Sequence, residues 1–317
     1  MTEPLFFERV AIVGVGLIGS SLALAMKRHG LAGHIVGSAR SQATRDTALE
    51  LGLVDSVAET GDAADGADLV VVATPVGAYA SVATVIGPRL KEGAIVTDAG
   101  SVKGMVAPTF APHLPAGVHL VPGHPVAGTE NSGPAAGFAE LFEHRFVILT
   151  PPADADPAAV AKVRALWERV GSAVEVMDAR HHDKVLAITS HLPHLIAYTI
   201  VGTVTDLEDQ LSGEAAANGD SVTQTEVIKY SAGGFRDFTR IAGSDPVMWR
   251  DVFLNNKEAV LEMLGRFTED LTALQRAVRW GEGETLEAWF TRTRAIRRGI
   301  VEAGQAGTFR ATEPEDG

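Results

Sequence analysis

The sequence predicts an α/β fold, a doubly wound and mostly parallel sheet, followed by an all-helical domain. Three observations predict it. An apolar run near the N-terminus meets a glycine-rich turn and then a helical pattern. Strand-like and helix-like stretches alternate from there to Met177, and beyond that point strand patterns cease. The length of 317 residues agrees, because it exceeds one ordinary core and makes two domains the natural expectation.

The first strand is Val10–Val13, and Gly14, Gly16 and Gly19 follow it in G-x-G-x-x-G spacing, with Leu17 and Ile18 inside the turn. A helical pattern then runs to Arg28, where Gly30 is placed to stop it. The glycines have separate tasks: Gly14 permits the tight turn, Gly16 lets a pyrophosphate reach the backbone, and Gly19 lets helix and strand pack closely. The helix start turns its positive end toward the phosphates. Such spacing alone is a weak signal. Between a strand and a helix it has the context a dinucleotide site requires, so a Rossmann-like domain is expected over residues 1–178.

Further strands are expected at His34–Gly37, Asp68–Pro75, Ile95–Asp98, Val118–Val121, Phe146–Thr150 and Ala173–Met177. Helices are expected at Gln42–Leu51, Tyr79–Leu90 and Pro157–Val170. In such sheets ligands bind beyond the carboxyl ends of the strands. Thr74-Pro75, the stretch Asp98–Ser101 and Gly123-His124 each lie just past such an end. His124 belongs to a stretch, Val121–Gly133, too rich in Gly and Pro for a helix or a central strand. A lone loop histidine can be no more than a hydrogen-bonded surface residue. Its position past a strand end is what favours chemistry.

The end of the second strand selects the cofactor. Ala39 stands where an acidic residue would accept the ribose 2′-hydroxyl, and Ser38, Arg40 and Ser41 surround it. A guanidinium between hydroxyls suits a 2′-phosphate, so NADP is favoured. NAD stays open, since Arg40 could instead point to solvent or stack on the adenine.

A helical domain is expected over 179–303, with helices at Asp183–Thr205, Ser221–Tyr230, Pro246–Val278 and Thr285–Ala303. Asp206–Gly219 reads as a mobile acidic connection and 304–317 as a disordered tail. Long apolar helices after a nucleotide domain commonly bury against a second copy, so a homodimer is expected, with Trp249, Trp280 and Trp289 as core or interface anchors. Pro193 should kink the first of these helices and free a carbonyl, while His191 and His194, three apart, share a face. No acidic ligand completes a metal set there, and no metal is expected. The stretch Gly233–Pro246 reads as a flexible glycine pair leading to Arg236 and Arg240. Arg240 is the candidate carboxylate clamp, and an ion pair with Asp237 or Asp245 is the plainer role for Arg236.

A formal charge of −13 argues against nucleic acid, and the basic run Arg292–Arg298 reads as a solvated or interface helix face. With no cysteine, disulfides, thiolate metal sites and a thiol nucleophile are excluded. The N-terminus lacks a signal-peptide pattern and no apolar run approaches a membrane span, so a cytoplasmic protein without a membrane partner is expected.

Five motifs occur in order: Gly14-x-Gly-Leu-Ile-Gly-Ser-Ser-Leu, Asp98-Ala-Gly-Ser-Val-Lys103, Gly123-His-Pro-Val-Ala-Gly-Thr-Glu130, Ser190-His-Leu-Pro-His194 and Gly234-Phe-Arg-Asp-Phe-Thr-Arg-Ile-Ala242. Together, over residues 9 to 295, they resemble the prephenate/arogenate (cyclohexadienyl) dehydrogenases. The resemblance implies a Rossmann-type domain with a helical dimerisation domain. It also implies oxidative decarboxylation of prephenate or arogenate by hydride transfer to NAD(P), giving 4-hydroxyphenylpyruvate or tyrosine in tyrosine biosynthesis. By the same resemblance His124 is the catalytic imidazole on the C4 hydroxyl, and Ser101 makes a second hydrogen bond to it. Arg240 holds a substrate carboxylate, His194 lines the pocket near the side chain, and Glu130, Asp237 and Trp249 border the site. Retention of His194 leans toward prephenate, and the family requires no metal. Ala39-Arg40 departs from the acidic residue frequent in the family and puts NAD-only use in doubt. Two other readings compete. A hydroxyacid-type dehydrogenase leaves the Gly-Ser-Val-Lys and His-Pro-Val-Ala-Gly elements unexplained, and a non-catalytic nucleotide-sensing dimer would be indifferent to loss of His124.

Overall fold

The computed structural model describes residues 6–129, 131–218 and 232–302. Glu130, the helix expected over 221–230 and the tail 304–317 lie outside the described residues. By packing, the chain divides into a unit up to Leu261 and a unit from Glu262 onward.

The first unit is built on a six-stranded parallel sheet. Its strands are β1 (Phe7–Val13), β2 (Ala32–Ser38), β3 (Ser56–Val57), β4 (Leu69–Val72), β5 (Ile95–Asp98) and β6 (His119–Leu120), in the order β3-β2-β1-β4-β5-β6. Helices α1 (Leu17–Arg28), α2 (Gln42–Glu50), α3 (Thr60–Ala64), α4 (Tyr79–Ile86) and α5 (Val106–Phe110) lie between the strands. Both faces of the sheet are buried, which is why its strands are continuous apolar runs. In β1, Val10 and Ile12 join one core with Leu22, Met26 and Ile35, while Ala11 and Val13 join the other with Tyr79, Ile86 and Phe110. Because β1 pairs with both β2 and β4, the winding reverses there and opens a crevice at the carboxyl ends of these strands.

A second, smaller sheet was not anticipated. Strand β7 (Gly123–Pro125) pairs antiparallel with β8 (Phe146–Leu149), which pairs in parallel with β9 (Ala173–Val176) on its other side. His124 therefore sits on a strand and not on a loop. Pro125 is tolerated because β7 is the edge of its sheet, where a missing N–H costs no ladder bond. Helix α6 (Pro157–Arg169) connects β8 to β9 and buries Val163, Leu166 and Trp167.

The helical stretch begins at α7 (Ala179–Leu186), capped by the Asp178 carboxylate, which accepts from the Arg180 and His181 amides. Ala187–His191 then forms a π turn before α8 (Leu192–Asn218). Pro193 has no N–H to offer the Thr189 carbonyl, and a widened turn is one way a helix absorbs that loss. Two expectations are corrected here. Asp206–Asn218 is helix and not a mobile connection, because Leu207, Gln210, Leu211 and Ala215–Ala217 are good helix formers. The pair Gly233-Gly234 opens α9 (Gly233–Thr239) instead of acting as a hinge, and a short 3-10 turn, Arg240–Gly243, follows it. The long helix expected from Pro246 divides at Asn256 into α10 (Pro246–Asn255), with Asp245 as its cap, and α11 (Lys257–Trp280). Helix α12 (Gly283–Glu302) is the last described element.

Helices α7 to α10 pack in the same unit as the sheets. Ala179–Leu207 is long and apolar enough to cross a membrane by length and composition, which corrects the expectation that no such run exists. The second unit exposes Leu271, Val278, Trp280, Phe290 and Ile296.

Candidate active site

The turn between β1 and α1 is made by side chains that are absent. Gly14 has φ +105°, and a Cβ there would stand 2.6 Å from the Ala73 carbonyl. A Cβ on Gly19 would stand 2.0 Å from the Gly14 oxygen. Gly16 differs: a Cβ there would meet nothing within 4 Å, so it faces open space. Gly16 is also the N-cap of α1, with no side chain capping the helix and no acidic residue in the first turn. The unsatisfied amides of that end therefore face outward unopposed. Leu17 and Ile18 turn their side chains inward against the core. Across the crevice, Thr74 Oγ1 is buried without a hydrogen-bond partner among the described residues, and Pro75 leads into the 3-10 turn Val76–Ala78. An open cradle with a donor-rich helix end and an orphaned hydroxyl fits a dinucleotide.

At the end of β2 the residues separate. Arg40 is exposed and makes no hydrogen bond or ion pair among the described residues. Ser41 caps α2 through the Thr44 amide, 3.1 Å away. Ser38 is fully buried with its hydroxyl 3.0 Å from Thr60 Oγ1, which corrects the expectation that it faces a ligand. Beneath them lies Arg45, which donates to the Ala39 carbonyl at 2.5 Å and to Glu59 at 2.6 Å.

His124 lies at the centre of a buried polar network. Its Nδ1 is 2.8 Å from His182 Nε2, and His182 Nδ1 is 2.8 Å from Asp183 Oδ1. The Asp183 carboxylate also accepts the backbone amides of Lys103 and Gly104, each at 2.7 Å. On the other side the fully buried Lys103 ammonium pairs with Asp98 and donates to the Gly123 carbonyl at 2.8 Å. Asp98 further accepts the Gly123 amide at 3.1 Å and the Tyr79 hydroxyl at 2.7 Å. Burying a lysine and two carboxylates is tolerable because Lys103 and Asp98 neutralise each other and every charged group is hydrogen-bonded. The backbone of β7 on either side of the His124 ring is thus fixed from β5 and from the turn after it.

Burial holds the His124 imidazole well below its ordinary pKa, and His182, Lys103 and His191 push it further down. Burial also lowers His182, against the opposing pull of Asp183. His191, buried on the π turn, is brought down to about 4, first by burial. A neutral imidazole at physiological pH, rigidly held, can accept a proton.

The other expected residues divide. Ser101 is partly buried in the turn after β5, two residues from Lys103. His194 stacks on Trp249, with ring centroids 3.6 Å apart, and its Nδ1 is 2.9 Å from the Ser190 carbonyl. His191 meets the same indole edge-on at 6.0 Å. Trp249 Nε1 is buried without a partner among the described residues. Arg240 is exposed, yet close enough to help depress the His194 pKa, after burial. Asp237 is exposed on α9, and no contact among the described residues brings it to the His124 network. No group of three potential metal ligands forms among the described residues. Sequence reasoning missed His182, Asp183 in this role, the Lys103–Asp98 pair and Asn256, which donates to the Asp183 carbonyl at 2.8 Å. The one available signal was Lys103, a charged residue inside the Gly-Ser-Val-Lys run.

Comparison with known proteins converges on one family. The prephenate dehydrogenase nucleotide-binding-domain model matches residues 22–176, and the prephenate dehydrogenase dimerization-domain model matches residues 178–292. The chain is 42% identical over 292 residues to the cyclohexadienyl dehydrogenase of Zymomonas mobilis, covering 92% of this chain and 95% of that one. It is 32% identical to the prephenate dehydrogenase of Bacillus subtilis, covering 92% and 76%. The crystal structure of Aquifex aeolicus prephenate dehydrogenase in complex with hydroxyphenyl propionate and NAD+ superposes with a TM-score of 0.83 at 35% identity, covering 95% of this chain and all of that one. Synechocystis arogenate dehydrogenase gives 0.73 at 26% identity, covering 92% and 99%.

Proposed function

Because this chain belongs to the prephenate dehydrogenase family, we propose that it oxidatively decarboxylates prephenate, and arogenate as a second substrate, in tyrosine biosynthesis. The observation that carries this reading is the buried His124, held neutral by burial, with its Nδ1 on His182 and no hydrogen bond to its Nε2 among the described residues.

A bound nicotinamide supplies the hydride acceptor. As hydride leaves C4 of the substrate ring, His124 accepts the C4 hydroxyl proton. The carboxylate at C1 leaves as CO₂, its bonding electrons restore the ring, and the phenolate oxygen recovers the proton from His124. Ser101 orients the hydroxyl, Arg240 holds a carboxylate of the dianion, and His194, stacked on Trp249, lines the side-chain pocket. Asp237 and Glu130 are assigned to the border of the site on family resemblance alone.

The cradle of Gly14, Gly16 and Gly19 would take the pyrophosphate, and the orphaned Thr74 hydroxyl would meet the nicotinamide half. NADP is favoured over NAD because Arg40 is exposed and without a partner among the described residues, while Ala39 offers no carboxylate to repel a 2′-phosphate. A homodimer is favoured by the large apolar residues left exposed on the second unit, Trp280 (71% exposed) and Val278 (67%) foremost.

Steady-state assays with two substrates and two cofactors test the reading, and turnover of neither prephenate nor arogenate would overturn it. Arg40→Ala should weaken NADP binding by about tenfold, as expected for one charge-assisted contact, and NAD binding little. Equal losses would remove the 2′-phosphate role. Sedimentation of the full chain as a monomer would remove the dimer.

A further inference from the structure

We propose that Asp183 and His182 form a relay that fixes which nitrogen of His124 carries its proton and shares the proton taken from the substrate; this rests on the reading of His124 as the base. The direction of each bond follows from a count of donors. The amides of Lys103 and Gly104 can only donate, and they point at Oδ1 and Oδ2 of Asp183, so both oxygens accept. As a carboxylate, Asp183 has no proton to give, so His182 Nδ1, 2.8 Å from Oδ1, is the donor of that contact. A neutral His182 then has its lone pair on Nε2, and the ring it faces, His124, must donate from Nδ1 across 2.8 Å. The bare nitrogen of His124 is thus Nε2, the one a base needs. Two backbone amides about 80 residues away in sequence set the polarity of the whole chain of bonds.

The same chain can carry a proton. When His124 Nε2 takes the hydroxyl proton, its Nδ1 proton can pass to His182 Nε2, leaving an imidazolium against the Asp183 carboxylate. The reverse transfers return a proton to the phenolate oxygen. At each step one bond to hydrogen forms and one breaks, an O–H for an N–H at the substrate and an N–H for an N–H between the rings, and no other reactant is consumed. Groups on every packed element act on this charge: Asp183 on α7 and Asp98 on β5 favour it, while Lys103 and His191 oppose it. Burial of both rings keeps the stored proton easily returned. Asn256 on the far side holds the Asp183 carbonyl and lies 3.1 Å from His191 Nδ1, so α7 cannot easily turn the carboxylate away.

The test uses the full chain labelled with 15N, with ring nitrogen shifts of His124 assigned by comparison with His124→Asn. At neutral pH the proton should be on Nδ1 and absent from Nε2. Asp183→Asn must turn an N–H toward His182 or toward one of the two backbone amides. It should lower kcat about 100-fold or more, move the acid limb of the kcat profile to lower pH, and leave the Kd for cofactor within about twofold. His182→Gln, which retains an acceptor, should recover part of what His182→Phe loses. A proton found on Nε2 of His124 in the unaltered protein overturns the relay, as does His182→Phe with an unchanged kcat and pH profile. If the variants do not fold, the spectrum of the unaltered chain decides alone. If neither substrate is turned over, the substrate reading falls, and the ring tautomer still decides the relay.

Discussion

Two places in this protein present backbone amides to an anion, and they are built in opposite ways. At Gly14–Gly19 the amides at the start of α1 are bared because side chains are missing, and the glycines responsible lie within one short run. At Lys103-Gly104 the amides are already occupied, by a carboxylate brought from Asp183, and even the missing side chain of Gly104 serves it, since a Cβ there would stand 2.8 Å from Oδ2. The first arrangement leaves an opening for something from outside. The second is closed and serves a neighbour, His124. Under the proposed function, binding is thus organised locally and chemistry over long distances in the chain, and each should break without the other.

The largest effect should come from His124→Asn. It should reduce kcat by about 10³ or more while cofactor affinity, measured by fluorescence titration, stays within about twofold. Parallel loss of both would mean that the two places are not separable. Next, Arg240→Gln should raise KM for prephenate by the equivalent of about 1.5–3 kcal/mol with a smaller change in kcat, and an unchanged KM would move the clamp elsewhere. Gly14→Ala should cost about 1–3 kcal/mol in urea unfolding and weaken cofactor binding, since φ +105° and the 2.6 Å approach to Ala73 leave no room for a methyl group. A variant of full stability and affinity would show that the turn can reshape.

The last effect is a slope. His191, lowered to about 4, and the similarly depressed His124 and His182 stay neutral in the fold while the unfolded chain takes up protons. Their contribution is complete above pH 6.5, the ordinary imidazole value, and is lost as pH falls toward the folded values. Unfolding free energy should therefore fall as pH drops from 6.5 toward about 4. A flat profile would mean that these rings are not buried neutral.

The contrast also explains what could be read from the chain. Gly14, Gly16 and Gly19, the parallel strands and the importance of the segment at His124 are local patterns, and period and spacing reveal them. The strand character of Gly123–Pro125 was hidden because Gly and Pro argue against strands except at an edge, and edges are settled by pairing. His182 gave no signal because its partner is 58 positions away, and no periodicity encodes that separation. The helix over Asp206–Asn218 was misjudged from its acidic composition, although its Leu, Gln and Ala content satisfied helix propensity. Arg240 and His194 were assigned by motif, whereas the stacking of His194 on Trp249 required the fold.

Lys103 and Asp98 constrain the evolutionary drift of this chain. Each neutralises the other inside a dry core, and Asp98 also carries the Tyr79 hydroxyl and the Gly123 amide. Exchanging either one alone strands its counterpart without compensation, so a lineage can change them only as a couple, together with whatever then carries the orphaned hydroxyl and amide. The pair should therefore persist while the neighbouring surface turns over.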